Sequence, residues 1–246
     1  MILLIDVGNT NIVLAHYDNE ITDVFRINTR KDFTPDEYSM LLDSKLKNYQ
    51  YEGIIISSVA PRVTQSLTRY CKKHLKIKPM IVGPGIKTGV NIKTDNPKEV
   101  GSDIIVSAVA SFNYGENAII IDLGTASTIT LIENKVIKGV VITPGIKTSL
   151  SALVSDTSML PEVDLKRPKN ILGTNTIESI QSGIINGHVY MIDGFLKNLT
   201  NTNKDYKIII TGGFSSVIGE LINFECIVSK DLILEGLVDI YYKNSK

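Results

Sequence analysis

The chain has 246 residues, of which 43% are hydrophobic and 21% are charged, the composition of an ordinary folded globular protein. Lysine plus arginine and aspartate plus glutamate number 26 each, so the overall charge favours neither nucleic acid nor an anionic membrane as a partner. Cys71 and Cys226 are far apart, which argues against a disulfide framework or a zinc site. The first residues lack a signal-peptide pattern, and no run of about 18 apolar residues predicts a membrane span. We therefore expect a cytoplasmic protein.

A polar turn between two apolar strands opens the chain. Residues 1–5 and 12–17 predict strands, and the turn between them is Asp6-Val7-Gly8-Asn9-Thr10-Asn11. Gly8 permits close approach of a ligand to the backbone, and the amides and hydroxyl of the turn suit a phosphate group. The Asp6 carboxylate suits a hard cation such as Mg²⁺ that bridges this phosphate. An ordinary Asn/Gly hairpin turn would explain the same residues without a ligand.

The next segments predict alternating strands and helices. After a third strand over residues 20–27, the capping box Thr34-Pro35-Asp36-Glu37 predicts a helix to about Asn48. The remaining elements predicted before the middle of the chain are a strand over 53–58, a helix from Pro61 to about His74, a strand over 80–82, a long loop over 87–99 and a helix from Gly101. Asp103 lies in the first turn of that last helix, where the helix dipole alone would favour a carboxylate.

A second copy of the polar turn opens the other half of the chain. A strand over residues 119–121 leads into Asp122-Leu123-Gly124-Thr125-Ala126-Ser127-Thr128, and a strand over 129–132 leads out. The repeated order of strand, Asp-x-Gly turn and strand indicates an internal duplication. The later predicted elements are a strand over 135–143, a helix from Pro144-Gly145 to about Val154, a loop over 155–170, a helix from Asn175 to about Leu199, strands over 207–210 and 226–228, a helix after Gly213 and a last helix from Asp231 to about Tyr242 that completes this half.

A third glycine turn, Thr211-Gly212-Gly213-Phe214, suits an adenosine contact, although a plain turn at a helix start would also explain it. Two phosphate turns and a later Gly-Gly turn resemble the actin-like superfamily of sugar kinases and Hsp70 ATPases. The resemblance implies an α/β fold of duplicated actin-like (ribonuclease H-like) domains, each a mixed β-sheet with flanking helices. The halves would be residues 1–116 and 117–246, with Asp6 and Asp122 facing each other across one cleft.

Segments along nearly the whole chain resemble the type III pantothenate kinases of bacteria. The two polar turns are similar to the first and second phosphate motifs of that family. The loops that distinguish the family from other actin-like kinases match Val82-Gly83-Pro84-Gly85-Ile86-Lys87-Thr88-Gly89 and Asp95-Asn96-Pro97 through Glu99-Val100-Gly101. Further matches are Ile142-Thr143-Pro144-Gly145-Ile146, Gly173-Thr174-Asn175-Thr176 and Gln181-Ser182-Gly183.

The resemblance implies that ATP phosphorylates pantothenate at its primary hydroxyl to give 4′-phosphopantothenate, the first step toward coenzyme A. It makes Asp103 the general base, places K⁺ or ammonium at Asp122 and brings Thr125 to a phosphate. ATP, with Mg²⁺ held at Asp6 through the phosphate, would be bound by Asp6, Val7, Gly8, Asn9, Thr10, Asn11, Ile12 and Val13. Pantothenate would be bound by Thr94, Gly101, Ser102, Asp103, Ile104 and Thr176. The family works as a homodimer, with its substrate pocket near the subunit interface.

Two positions depart from the family pattern. Thr94 stands where the family usually has tyrosine, and Ile104 stands where it usually has arginine. Both are on the substrate side, whereas the nucleotide side of the pattern is intact. Two alternatives therefore stay open beside pantothenate kinase. One is a non-catalytic nucleotide-binding regulator, such as a transcriptional accessory factor, and the other is a kinase for another small alcohol.

Overall fold

The structure, a computed structural model, describes residues 1–157, 160–202 and 204–245. The chain divides into two compact units that are interleaved along the sequence. The first unit comprises Met1–Val90, Asp95–Asn113 and Asp231–Lys246, and the second comprises Asn91–Thr94 and Tyr114–Lys230. Each unit contains one mixed sheet with helices packed on it, so the predicted α/β class is confirmed.

The first unit is built on a five-stranded sheet. Its strands are β1 (Ile2–Val7), β2 (Asn11–Asp18), β3 (Glu20–Asn28), β4 (Gly53–Ser58) and β5 (Met80–Ile81), in the spatial order β3-β2-β1-β4-β5. The first three strands are antiparallel, as the predicted hairpin requires, and β4 and β5 join the sheet in parallel. Parallel neighbours need a crossover, and the helices α1 (Pro35–Leu46) and α2 (Pro61–Tyr70) supply it.

Local sequence signals set the start of α1 as predicted. The Thr34 hydroxyl accepts the Glu37 N–H at 3.3 Å, and the Glu37 carboxylate accepts the Thr34 N–H at 2.7 Å, so both halves of the capping box are formed. The end of α2 continues into a π-helical turn, Cys71–Leu75, which extends this helix to about the predicted length.

Two helices from distant parts of the chain cover the other face of the first sheet. They are α3 (Ser102–Ser111) and α7 (Leu232–Asn244), and they share an apolar cluster with the residues of β1 and β4 that point to this face. Gly236 of α7 packs directly on the backbone of Val106 in α3, since a Cβ there would lie 2.9 Å from the Val106 carbonyl carbon. The expectation that the last helix completes the second half was therefore wrong. The division of the chain into two actin-like halves at residues 116 and 117 stays a prediction.

The second unit repeats the plan of the first. Its strands are β6 (Asn91–Ile92), β7 (Ala118–Leu123), β8 (Ala126–Glu133), β9 (Val136–Pro144), β10 (Lys207–Gly212) and β11 (Ile227–Val228), in the order β11-β10-β7-β8-β9-β6. Strands β7, β8 and β9 are antiparallel, and β10 and β11 extend the sheet in parallel beside β7. Strand β6 lies within the segment predicted to be a long loop and pairs in parallel with the start of β9.

Three helices, α4 (Ile146–Ser155), α5 (Thr176–Leu199) and α6 (Ser215–Gly219), belong to the second unit. Their apolar residues and those of β7 and β10 form its main core. Residues 158 and 159, part of the loop predicted over 155–170, lie outside the described residues. In the portion of the chain that the structure covers, no helix combines the length and the apolar character needed to cross a membrane.

Candidate active site

The turn between β1 and β2 is tight and exposes its polar side chains. The Gly8 N–H donates to the Asn11 carbonyl at 2.9 Å, and a Cβ at Gly8 would lie 3.1 Å from the same oxygen. Thr29, just after β3, holds the turn from one side, because its hydroxyl donates to the Gly8 carbonyl at 2.8 Å and its N–H donates to the Thr10 carbonyl at 2.8 Å. The side chains of Asn9, Thr10 and Asn11 are exposed, and amides and hydroxyls are the kinds of group that hydrogen-bond a phosphate.

Asp6 occupies the end of β1 between two neighbouring strands. It is half-buried and stands opposite Val13 in β2 and Ser57 in β4. Val7 and Ile12, also predicted to hold the nucleotide, are fully buried in the core. Their side chains are therefore not accessible to a ligand.

The second polar turn is held by the start of α4. The Thr125 carbonyl accepts the Gly145 N–H at 3.1 Å and the Thr148 hydroxyl at 2.6 Å. Gly145 lies so close that a Cβ there would be 2.5 Å from the Thr125 carbonyl oxygen. The Thr125 side chain is exposed, and Asp122 is half-buried opposite Thr128 in β8. The turn thus presents Thr125 from a backbone that α4 holds in place.

The two glycines of the turn after β10 have different surroundings, because one packs against β7 and the other faces open space. Gly212 has a φ of +90°, and a Cβ there would lie 2.6 Å from the Leu123 carbonyl group of β7. Both the dihedral angle and the close approach require glycine at this position. Gly213 has no atom within 4 Å of the place where its Cβ would be. Of the two residues predicted to contact adenosine, Gly213 is the one that leaves space.

Asp103 lies in the first turn of α3 with its carboxylate folded back on the helix start. Its Oδ1 accepts the Ile104 N–H at 2.9 Å, and a Cβ at Gly101 would overlap this oxygen. Burial raises the pKa of the Asp103 carboxyl above its ordinary value, and the backbone N–H groups offset this only in part. A carboxylate with a raised pKa is a better proton acceptor, which is the property that a general base needs.

The remaining predicted substrate residues have different surroundings. The Ser102 hydroxyl donates to the Ser58 carbonyl at 2.8 Å and accepts the Ser58 N–H at 3.0 Å, which docks α3 on the end of β4. Ile104 is half-buried. Thr94 follows β6, and its hydroxyl is shielded from solvent with no hydrogen-bond partner among the described residues. Thr176 is exposed at the first position of α5.

An open concavity of about 500 Å³ lies beside Thr176 in the second unit. Its wall is mixed, with apolar side chains from α4 and α5 and polar groups from the start of α5. It includes Leu153, Leu160, Thr174, Thr176, Ile180 and Ile184. Asn175 caps α5 by accepting the Glu178 N–H at 3.0 Å, which fixes the helix start that forms one side.

The candidate residues are divided between the two units. The first unit holds Asp6, the first polar turn and the segment from Gly101 to Ile104, whereas Thr94, Asp122, Thr125 and Thr176 belong to the second. Within the first unit, the end of β4 connects Asp6 and Asp103, because Ser57 pairs with Asp6 and its hydroxyl lies 3.2 Å from that of Ser102. That Asp6 and Asp122 face each other across one cleft stays a prediction. Sequence reasoning missed Thr29, since only the pairing of β2 with β3 brings it to the turn.

The donor set fits a magnesium nucleotide. Nowhere in the described residues do three or more His, Cys, Asp or Glu side chains group to hold a metal ion. Mg²⁺ usually takes only one or two protein carboxylates and completes its shell with phosphate oxygens and water. A single half-buried aspartate, Asp6, beside exposed phosphate donors meets that requirement.

The repeated plan of two mixed sheets, each opened by an Asp-x-Gly hairpin, is that of an actin-like fold. The structure is similar to that of a proposed 2-dehydro-3-deoxygalactonokinase from Sinorhizobium meliloti, with a TM-score of 0.61, 10% identity, and coverage of 100% of this chain and 97% of that one. It is also similar to a conserved protein from Campylobacter jejuni, described as a proposed Baf family transcriptional activator, with a TM-score of 0.63, 20% identity and 98% coverage of both chains. At these identities the likeness shows the fold alone.

Sequence comparison identifies the family within this fold. The profile of the type III pantothenate kinases matches residues 2–198. A type III pantothenate kinase from Acholeplasma laidlawii (strain PG-8A) is 45% identical over 249 residues, which covers 100% of both chains. The chain belongs to the type III pantothenate kinase family, and the resemblance found in its motifs is confirmed.

Proposed function

We propose that the chain transfers the terminal phosphoryl group of ATP to the primary hydroxyl of pantothenate, giving 4′-phosphopantothenate for coenzyme A synthesis. The observation that supports this most is the Asp103 carboxylate, which burial makes more basic and which β4 connects to Asp6. The combination matches the needs of phosphoryl transfer, where catalysis consists mainly of positioning and charge stabilisation.

On the nucleotide side, the first polar turn binds the phosphates through the exposed side chains of Asn9, Thr10 and Asn11. Asp6 would hold Mg²⁺ through the phosphate, and the bound ion would supply charge stabilisation for the transferring group. Thr125, held by α4, contributes a hydroxyl to a phosphate. Asp122 binds a monovalent cation, K⁺ or ammonium, and Gly213 leaves space for the adenosine.

On the substrate side, Asp103 orients the attacking hydroxyl and accepts its proton. The candidate pantothenate contacts are Thr94, Gly101, Ser102, Asp103, Ile104 and Thr176. We also infer that the chain works in the cytoplasm as a homodimer with α3 close to the partner, since the family resemblance implies a pocket near the subunit interface. It needs neither nucleic acid nor a membrane.

The test is ADP release from ATP with and without pantothenate, in K⁺ and in Na⁺ buffer, with mass spectrometry of the product. We expect release that depends on pantothenate, is faster in K⁺ and yields phosphopantothenate. Asp103→Asn is the matched control, because it keeps the shape of the side chain and removes the base. ATP binding without any pantothenate-dependent release would contradict the proposal and favour the non-catalytic regulator.

A second candidate, a kinase for another small alcohol, is favoured by Thr94 and Ile104. These residues replace the tyrosine and arginine that the family usually has on the substrate side. The same ADP assay with a panel of small hydroxy acids and amides distinguishes the two candidates. A panel member that is phosphorylated with a higher kcat/KM than pantothenate would establish this second function.

A further inference from the structure

We propose that Ser102 is a positioning residue whose hydroxyl holds Asp103 in place for phosphoryl transfer, which leaves only its main chain as a candidate substrate contact. The inference rests on the proposed function. A hydroxyl has one hydrogen to donate and two lone pairs to accept. Ser102 donates its hydrogen to the Ser58 carbonyl at 2.8 Å, accepts the Ser58 N–H at 3.0 Å, and has the Ser57 hydroxyl at 3.2 Å. These partners use its whole capacity, so no donor is left for pantothenate.

The partners of Ser102 belong to the strand that neighbours Asp6. Ser57 is fully buried and pairs with Asp6, and Ser58 pairs with Val7, in the parallel register of β4 with β1. Neighbouring strands in a sheet lie only about 4.8 Å apart. Ser102 therefore fixes the first turn of α3 one strand away from the carboxylate that we assign to Mg²⁺. The proposed base and the proposed metal ligand share one rigid support.

The end of β4 is itself held by a small hydroxyl cluster. The Ser58 hydroxyl accepts the Ala60 N–H at 3.0 Å and the Thr64 hydroxyl at 2.6 Å, which ties in the start of α2. A polar cluster in which every member has a partner stiffens its surroundings. The end of β4, on which Ser102 docks, is thus also held to the start of α2.

Asp103 follows Ser102 directly, so movement of the first turn moves its carboxylate. The carboxylate orientation depends on that turn in two ways, since Oδ1 accepts the Ile104 N–H at 2.9 Å and occupies the space that Gly101 leaves open. A shift of about 1 Å at a reacting group can reduce a rate by about 100-fold. Loss of the Ser102 hydroxyl should therefore reduce kcat and leave KM almost unchanged.

The experiment compares Ser102→Ala with Ser102→Thr, which keeps the hydroxyl. For the alanine variant we expect kcat with pantothenate to fall by about 10- to 100-fold, KM to stay within about twofold, and the acid limb of the kcat profile to move to lower pH as water reaches Asp103. The threonine variant should recover most of the rate. Ser111→Ala is the control, because this buried hydroxyl of the same helix donates to the Ala108 carbonyl at 2.7 Å, far from Asp103 in the helix.

A second measurement does not depend on activity. Carbon-detected NMR of the free protein follows the titration of the Asp103 carboxyl, which should move to lower pH in Ser102→Ala and not in Ser111→Ala. If the parent protein shows no pantothenate-dependent activity, the proposed function fails while this titration still tests the role of Ser102. A raised KM at unchanged kcat, or an unchanged Asp103 titration, would overturn the positioning role. If Ser102→Ala does not fold, the same measurements are made on Ser57→Ala, which removes the hydroxyl 3.2 Å from that of Ser102. If neither variant folds, the cluster serves stability alone, and the proposal is likewise overturned.

Discussion

Gly145→Ala should loosen the second polar turn through a clash alone. Gly145 has φ −70° and ψ 165°, angles that alanine adopts readily, so the substitution strains no dihedral angle. Its new Cβ would lie 2.5 Å from the Thr125 carbonyl oxygen, and 3.4 Å is the start of ordinary contact. The turn and the start of α4 must therefore separate by at least about 0.9 Å, and overpacking of this kind costs about 1–3 kcal/mol. Displacement of Thr125 should also weaken nucleotide binding by up to about tenfold, the value of one hydrogen bond.

Urea unfolding measures the first effect and titration with a fluorescent ATP analogue measures the second. Circular dichroism is the suitable probe of unfolding, because the chain contains no tryptophan. Gly139→Ala is the matched control, since Gly139 lies in β9 of the same unit and has no atom within 4 Å of its Cβ position. If Gly145→Ala unfolds at the same urea concentration as Gly139→Ala and binds the analogue equally well, the close approach at Thr125 does not constrain the turn.

Further predictions concern the chemistry and the assembly. The Asp103→Asn variant should keep its ATP affinity and lose at least about 100-fold in turnover, because a positioned base contributes about 10²–10⁴-fold. Near-normal turnover would show that Asp103 only stabilises the start of its helix. In the parent protein, kcat should fall as the pH decreases through the raised pKa of Asp103, and a profile with no acid limb would contradict its role as the base. The paired change Thr94→Tyr with Ile104→Arg should lower KM for pantothenate by about 10- to 100-fold, since a hydrogen bond to a charged group contributes about 1.5–3 kcal/mol; an unchanged KM would show that these positions do not set affinity. Sedimentation at micromolar concentration should show a dimer, and a stable, active monomer would refute it.

The features that sequence predicted correctly have local causes. The capping box of Thr34 and Glu37 is complete within four residues, and it sets the start of α1 as expected. The two polar turns were recognisable because each interrupts an apolar run with residues that favour a hairpin, and both hairpins formed in register. Helix α5 likewise starts after its cap, Asn175, and spans Thr176–Leu199. Each of these signals acts between residues that are close in the chain.

The features that sequence did not reveal arise from distant contacts. Strand β6 has only two residues, and its pairing with β9 joins Asn91 to Val136, so no local periodicity marks it. The position of α7 depends on the fit of Gly236 against α3, which its own sequence does not disclose. The commitment of the Ser102 hydroxyl to β4 was equally hidden, because its partner Ser58 is 44 residues away. Motif resemblance placed Ser102 near the substrate, whereas its hydrogen bonds show what its hydroxyl contacts.

The two units are interleaved along the sequence, and this affects the order in which they can fold during synthesis. Residues 114–230, which form nearly all of the second unit, leave the ribosome before residues 231–244, which provide one of the two helices that cover one face of the first sheet. Domains usually fold in the order of synthesis, N-terminal first. Here the last helix packs against Val106 and its neighbours, so the core of the first unit is complete only after that helix emerges, and the later-synthesised unit should be complete first. During that interval the nascent first unit carries an uncovered apolar surface, the kind of surface that chaperones recognise.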